Sequence, residues 1–266
     1  MKVHYWFSDS FRGQYRAYRN NVLMPPGNYA ARITHDNGHI LLYSFYVEGH
    51  DVERSNRAFP PPKQLIQNSE GELKLTSYWR WKEMEGNRSS LSDLPFRTEL
   101  NNPTSEAVYI NEALILKSVS GYEIFSFLNA YSHFSWEGKL QIVHRGKCGL
   151  VFNLDDGLNG YFISLDAIRG IAQIRGWGAR PDRIFKDYTY HHLQDNEFST
   201  NSDMLYAFKL IRWGSYIELS LNGIVVLSLI NSHFNGSRIG FYTESVGLKI
   251  TESVLYEINE PSSETL

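Results

Sequence analysis

Residues 216–229, YIELSLNGIVVLSL, constrain the fold of this chain more than any other stretch. Ile217, Leu219 and Leu221 project to one side and Tyr216, Glu218 and Ser220 to the other, the two-residue period of a pleated strand. Asn222-Gly223 supplies a pair that tolerates positive φ, so a tight hairpin returns along IVVLSL, whose β-branched residues favour extension. Upstream, CGLVFNLDDGLNGYFISLDAIRGIAQIRGWG reads as a meander with strands near 149–154, 160–166 and 171–177, divided by DDGLNG and AIRG. EALILKS, YEIFSFLNAYS, GKLQIVHR, SRIGFYTES and KITESVLYEI add further strands. From about residue 108 to 258 the pattern predicts eight or nine antiparallel strands, enough for two stacked sheets, with almost no helical periodicity.

The front of the chain differs. MKVHYWFS opens as a strand, and residues 28–51 read as a hairpin across Asp36-Asn37-Gly38. FPPPKQ cannot be a central strand, because three successive prolines remove three backbone donors; it reads as a stiff extended connector. An isolated hairpin is marginal in water, so this one must lean on the rest of the chain or on a partner. The predicted fold is all-β: an antiparallel jelly-roll-like β-sandwich with an N-terminal β-hairpin and a proline-rich connector. Expected divisions are a hairpin segment over 1–57, the connector and a strand leading into the sandwich over 58–107, the sandwich over 108–260 and a fraying tail over 261–266.

Composition narrows the function classes. The 266 residues allow one large β-domain or two smaller ones, and 42% hydrophobic with 14% aromatic residues supply a core. A net charge of −3 argues against nucleic acid as a partner, which demands a clustered basic excess. No apolar run approaches the ~20 residues of a bilayer span, and MKVHYWFSDS has no secretory pattern, so no membrane partner is expected. One cysteine, Cys148, forbids an intrachain disulfide and suits a reducing compartment, which favours the cytoplasm.

Residues 28–76, with YAARI, DNGHILLYSFYVEG and RAFPPPKQLIQNSEGELKL, resemble the end of the catalytic propeller in family-32 and family-43-like glycoside hydrolases. There the last blade leads through a proline-bearing connector into a C-terminal β-sandwich, and the second half of this chain resembles that sandwich and the wider concanavalin-like and laminin-G-like class. The resemblance implies a hairpin descended from a propeller blade. Such glycosidases need two carboxylates facing one bond. The family's Trp-Met-Asn-Asp-Pro-like, Arg-Asp-Pro and Glu-Cys patterns are missing: Arg180-Pro181-Asp182 has the wrong order, and Cys148 follows Lys147. The resemblance therefore implies a chain without catalytic residues, and no jelly-roll glucanase strand of the Glu-x-Asp-x-x-Glu type replaces them.

Other acidic and histidine pairs have plain readings. Asp155-Asp156 suits turn chemistry, and Glu48 and Asp51 read as solvated hairpin-end residues. His191-His192 invites a metal, but neighbours on a strand face opposite ways, so a polar loop pair is preferred. NLDDGLNG offers clustered oxygens to calcium, yet its composition is that of a turn. No metal and no cofactor are expected.

Two aromatic sites remain. If YWRWKE is a strand, Trp79 and Trp81 share one face and make a sugar-stacking platform, or else both seal the joint between hairpin and sandwich. RGWGARPDR places Trp177 beside Arg180 and Asp182 in what reads as a loop, where stacking and bidentate hydrogen bonds would hold sugar hydroxyls; the alternative is ordinary edge charge. Trp213 reads as structural. The expected carbohydrate-binding residues are Trp79, Trp81, Trp177, Arg180 and Asp182, in a non-catalytic module whose partner is an oligosaccharide or glycan. Two alternatives stand beside it: part of a fructoside-type hydrolase completed by a catalytic propeller partner, or a structural module that forms homo-oligomers.

Overall fold

The computed structural model describes residues 2–47, 57–144, 146–179 and 188–260. The front of the chain forms β1 (Val3–His4), β2 (Val22–Met24), β3 (Asn28–Asp36), β4 (His39–Val47), β5 (Arg57–Ala58), β6 (Lys63–Gln67) and β7 (Leu73–Thr76). Then come β8 (Glu85–Ser90), β9 (Phe96–Thr98), β10 (Ser105–Ile110), β11 (Ala113–Ser118), β12 (Tyr122–Leu128), β13 (Phe134–Val143), β14 (Lys147–Leu154) and β15 (Gly160–Asp166). The chain finishes with β16 (Ile171–Ala179), β17 (Tyr188–Glu197), β18 (Leu205–Trp213), β19 (Tyr216–Leu221), β20 (Ile224–Ile230), β21 (Arg238–Glu244) and β22 (Gly247–Ile258). The fold is all-β, as its alternation predicts; the described residues contain no α-helix, only 3-10 turns at Trp79–Lys82 and Leu91–Asp93.

Two antiparallel sheets form the sandwich. One runs β10-β11-β22-β13-β18-β19-β20, with β8 also on β22; the other runs β17-β16-β15-β14-β21-β12-β9. Alternate residues fill the space between them: Cys148, Leu150 and Phe152 of β14 and Tyr161, Ile163 and Leu165 of β15 all enter one core. Trp136 ties the layers together. Its ring meets Phe208 of its own sheet edge-on at 5.2 Å and Phe241 of the facing sheet at 4.9 Å, while its Nε1 donates to Ser253 Oγ at 2.9 Å.

The predicted hairpin at 216–229 forms with Leu221 opposite Ile224, and Asn222 and Gly223 take φ of 49° and 79°. From β10 to β22 the described residues form thirteen strands against the eight or nine expected, and β10, β17 and β18 are the ones that no stretch named from sequence covers. In β18 the alternation breaks at Leu210-Ile211, since Leu210 enters the main core while Ile211 lies under Trp81 on the other face. The stretch 58–107 also contributes to both layers, through β8 on β22 and β9 on β12.

The front hairpin leans on the sandwich. Strands β3-β4-β6-β7 make a separate sheet whose inner residues Leu42, Leu65 and Leu75, with Met24, pack on Val225 of β20. Burying each such leucine contributes about 1.5–3 kcal/mol. At the centre of this joint Lys63, the residue after the prolines, is 1% exposed and faces Glu218, which is fully buried, at 3.5 Å. Lys63 Nζ also donates to Pro61 O at 2.9 Å and sits 4.8 Å from the Tyr216 ring. Glu218 accepts from Ser77 Oγ and from the Tyr216 hydroxyl. Burial pulls the Lys63 ammonium below its ordinary pKa against the opposing pull of Glu218, and pushes the Tyr216 phenol well up.

Replacing only one member of this pair strands the other charge. Lys63→Ala should lower stability by about 3–5 kcal/mol, and pairing Lys63→Met with Glu218→Leu should restore most of it. Urea denaturation checks this, and a single-variant loss under about 1 kcal/mol contradicts a buried charge. Cys148 gives an independent gauge of the core. Burial pushes its thiol up to about 12, so it stays protonated and inert at pH 8. A thiol reagent should label it only as fast as the whole sandwich opens; because the raised pKa lies above that of the unfolded thiol, its contribution to stability is lost as pH climbs from about 9 towards 12.

Candidate functional site

The outer face of the sheet β17-β16-β15-β14-β21-β12-β9 carries a cavity of about 880 Å³, within the range of ligand pockets. Strand register builds it. Trp177 lies between Gly160 and Tyr190, Arg175 between Phe162 and His192, and Gln173 between Ser164 and Asp195. The period of two that sends Ile163 and Leu165 inward turns Phe162, Ser164 and Asp166 outward.

One end of the cavity is aromatic. Trp177 packs on Phe162 at 5.1 Å, on Tyr190 edge-on at 5.0 Å and parallel to Tyr122 at 6.2 Å, while Tyr122 reaches Tyr242 at 5.3 Å. Phe162 and Tyr242 are buried, Trp177 is half-buried and Tyr190 is 52% exposed, so the wall ends in rings a ligand can reach. Burial raises the Tyr242 phenol above its ordinary pKa, so it stays a hydrogen-bond donor at neutral pH.

The other end is polar. The Arg175 guanidinium lies 4.3 Å over the Tyr190 ring, and its Nε donates to Gln173 Oε1 at 2.8 Å. Lys147 pairs with Glu244 at 3.4 Å, Arg169 with Asp166 at 3.8 Å and His192 with Asp195 at 3.9 Å. Asp166 further accepts from the backbone N–H of Ile168 and Arg169. Asp166 and Glu244 therefore each have a cationic neighbour, and Asp195 has an imidazole beside it. Rings at one end and paired donors and acceptors at the other suit a ligand with apolar faces and many hydroxyls.

The stretch read as a binding loop is a strand. Residues 171–179 pair on both sides, and Gly176 permits this on the core side, where a Cβ would come within 2.9 Å of the Phe234 ring. Trp177 and Arg175 share the outer face for that reason. Arg180 and Asp182 lie outside the described residues, as do Glu48 and Asp51. His191-His192 is likewise on strand β17, not in a loop, with the two residues opposite Gly176 and Arg175. Asp155 is turn chemistry: its Oδ1 accepts from the backbone N–H of Gly157 and Asn159, both at 2.9 Å. The described residues contain no cluster of three or more metal-ligating side chains.

The proposed Trp79–Trp81 platform needs a strand, and residues 79–82 form a 3-10 turn instead. Trp81 is 3% exposed, stacked on Tyr216 at 6.1 Å and edge-on to Trp213 at 5.7 Å, where it fills the joint under the front sheet. Trp79 stacks on His39 at 5.2 Å with Arg80 4.9 Å from its ring, away from the cavity. That burial outweighs the strand preference of the sequence. The sequence reading missed Tyr122, Phe162, Tyr190 and Tyr242; the outward alternation of Phe162, Ser164 and Asp166 was the available signal.

These features define a β-sandwich module with the fold of family-32 glycoside hydrolase sandwiches and of a carbohydrate-binding module. Fructosyltransferase from A. japonicus superposes with a TM-score of 0.59 at 10% identity, over 96% of this chain and 48% of the enzyme. Exo-inulinase from Aspergillus awamori gives 0.57 at 10% identity, over 97% and 50%. The carbohydrate-binding module CBM66 from Bacillus subtilis gives 0.50 at 17% identity, over 61% and 95%. The chain thus spans about half the length of the two enzymes. No family model and no curated protein matches it. No helix among the described residues is long and apolar enough to cross a membrane.

Gly178 holds the aromatic end in place. Its φ is 115°, and a Cβ there would collide with Asn159 Oδ1, whose loop is clamped by Asp155. Gly178→Ala should cost about 1–3 kcal/mol and alter Trp177 emission, measured by thermal unfolding and fluorescence; an unchanged melting curve contradicts the close approach.

Proposed function

We propose that this chain is a non-catalytic carbohydrate-binding module that takes an oligosaccharide, with fructose-containing chains the first class to test, on the outer face of the sheet around Trp177. The observation that carries this reading is the cavity of about 880 Å³ with Trp177, Tyr190, Tyr122 and Phe162 at one end and Arg175, Gln173 and Asp195 at the other. A sugar ring stacks its axial C–H patch on the indole and phenol faces, while the guanidinium, amide and carboxylate fix hydroxyls. Arg180 and Asp182, just past Trp177 in sequence, remain in the proposal as further hydroxyl contacts. The fructan class comes from the activities named for the exo-inulinase and fructosyltransferase of like fold. The pairing of Asp166 with Arg169 and of Glu244 with Lys147 supports binding over bond cleavage, since a glycosidase needs a free acid opposite a second carboxylate.

A second reading is favoured by the half-length match and by Tyr43, Phe45 and the exposed Phe59 on the outward side of the front sheet, where Phe45 and Phe59 meet at 4.0 Å. There the module docks a propeller that carries the carboxylates, or a second copy of itself. A stable monomer by sedimentation, with no reading frame for propeller blades beside the gene, removes it.

Titration calorimetry with inulin-type, levan-type, gluco- and xylo-oligosaccharides tests the binding reading. Trp177→Ala should weaken the best ligand at least about tenfold, which is about 1.4 kcal/mol. Silence from every sugar at millimolar concentration overturns it.

A further inference from the structure

A second cleft opens on the opposite sheet, where two strands share one edge of β22. Strand β11 pairs with Gly247–Ile250 and β8 with Val254–Ile258, so among the described residues no strand pairs with Thr251, Glu252 and Ser253 on that edge. A cavity of about 410 Å³ fills the gap. Its floor is Leu91 and Leu114 of the core, and its rim carries Arg88, Tyr109, Glu112 and Glu252.

The two glutamates share an uncommon backbone. Glu112 has φ of 65°, in the two-residue turn with Asn111 at 47°, and Glu252 has φ of 54° at the bulge of β22 against β13. Glycine is the ordinary occupant of such turns, and a strained non-glycine residue persists where its surroundings or its use fix it. Glu252 is further pinned by Lys139 at 2.6 Å.

The chemistry of the rim selects among ligands. With Lys139 on Glu252, the two carboxylates are matched by two cations, so the rim favours neither an anion nor a cation. A neutral polyol satisfies both signs at once: vicinal hydroxyls donate to the carboxylates and accept from the guanidinium, while the Tyr109 ring, 47% exposed, offers a stacking face. We propose that this cleft is a second saccharide site, sized for one or two sugar residues and held by Arg88, Tyr109, Glu112 and Glu252. It shares its ligand class with the groove around Trp177 but no residue, and two sites on opposite sheets bind a polymer bivalently.

Calorimetric stoichiometry with a trisaccharide from the best-binding series tests it, on the full chain. The wild type should bind two molecules and Trp177→Ala one. Glu112→Gly should melt higher, because it relieves the turn, yet lose the second site by at least about tenfold; Arg88→Ala should lose it as well. Wild-type binding of one molecule that Trp177→Ala abolishes overturns the second site alone. One molecule that Glu112→Gly abolishes and Trp177→Ala spares supports the cleft and overturns the groove. Glu112→Gly binding like wild type overturns the cleft, and no binding by wild type overturns both.

Discussion

The ion pair between Lys63 and Glu218 is the point on which the arrangement of the chain turns. A lysine and a glutamate removed from water are tolerated only when each keeps a partner. Here the ammonium has a carboxylate, a carbonyl and a ring face, and the carboxylate has two hydroxyls. The ammonium and the Ser77 hydroxyl come from the front of the chain, and the carboxylate, with the Tyr216 hydroxyl beside it, from β19, so neither unit is fully satisfied without the other. Asn28 and Gln194 extend the seam, each donating to Ser228 O at 2.9 Å.

That seam explains what sequence alone could and could not disclose. The alternation of Ile217, Leu219 and Leu221 against Tyr216, Glu218 and Ser220 is legible, and the turn at Asn222-Gly223 follows from residue type. Alternation marks two faces of a strand but does not say what covers each. Tyr216, Glu218 and Ser220 are all buried, because the front sheet lies over them. Trp81 stayed open between platform and joint for the same reason: its turn is shaped by Trp213 and Tyr216, far away in sequence. Strand β17 was illegible because YTYHHLQDNE is largely polar and pairs on the sheet's edge with one neighbour only.

The groove follows from the same economy of faces. With the outer side of β18–β20 taken up by the front sheet, the outer side of β14–β17 is the broad surface left for rings that the core does not use. Trp177 was legible as a candidate because RGWGARPDR gathers an indole, arginines and an aspartate around two glycines. Its companions were not, since Tyr122, Phe162 and Tyr242 come from three other strands and meet only through cross-strand register. Arg175 illustrates the gain from register: two residues before Trp177 on a strand, it presents its guanidinium on the same side.

The triproline stretch looks, on paper, like a natural cutting point. The residue directly after it is the buried lysine, and the sheet that it interrupts, with β3 and β4 before it and β6 and β7 after, covers a carboxylate, a phenol and two serines. A sandwich cut at the prolines would keep β6 and β7 but lose Met24, Asn28 and Leu42 from the joint, so a stand-alone expression unit has to include the strands from β1 onward. Anyone grafting the sandwich onto another scaffold inherits the front sheet as an obligatory lid.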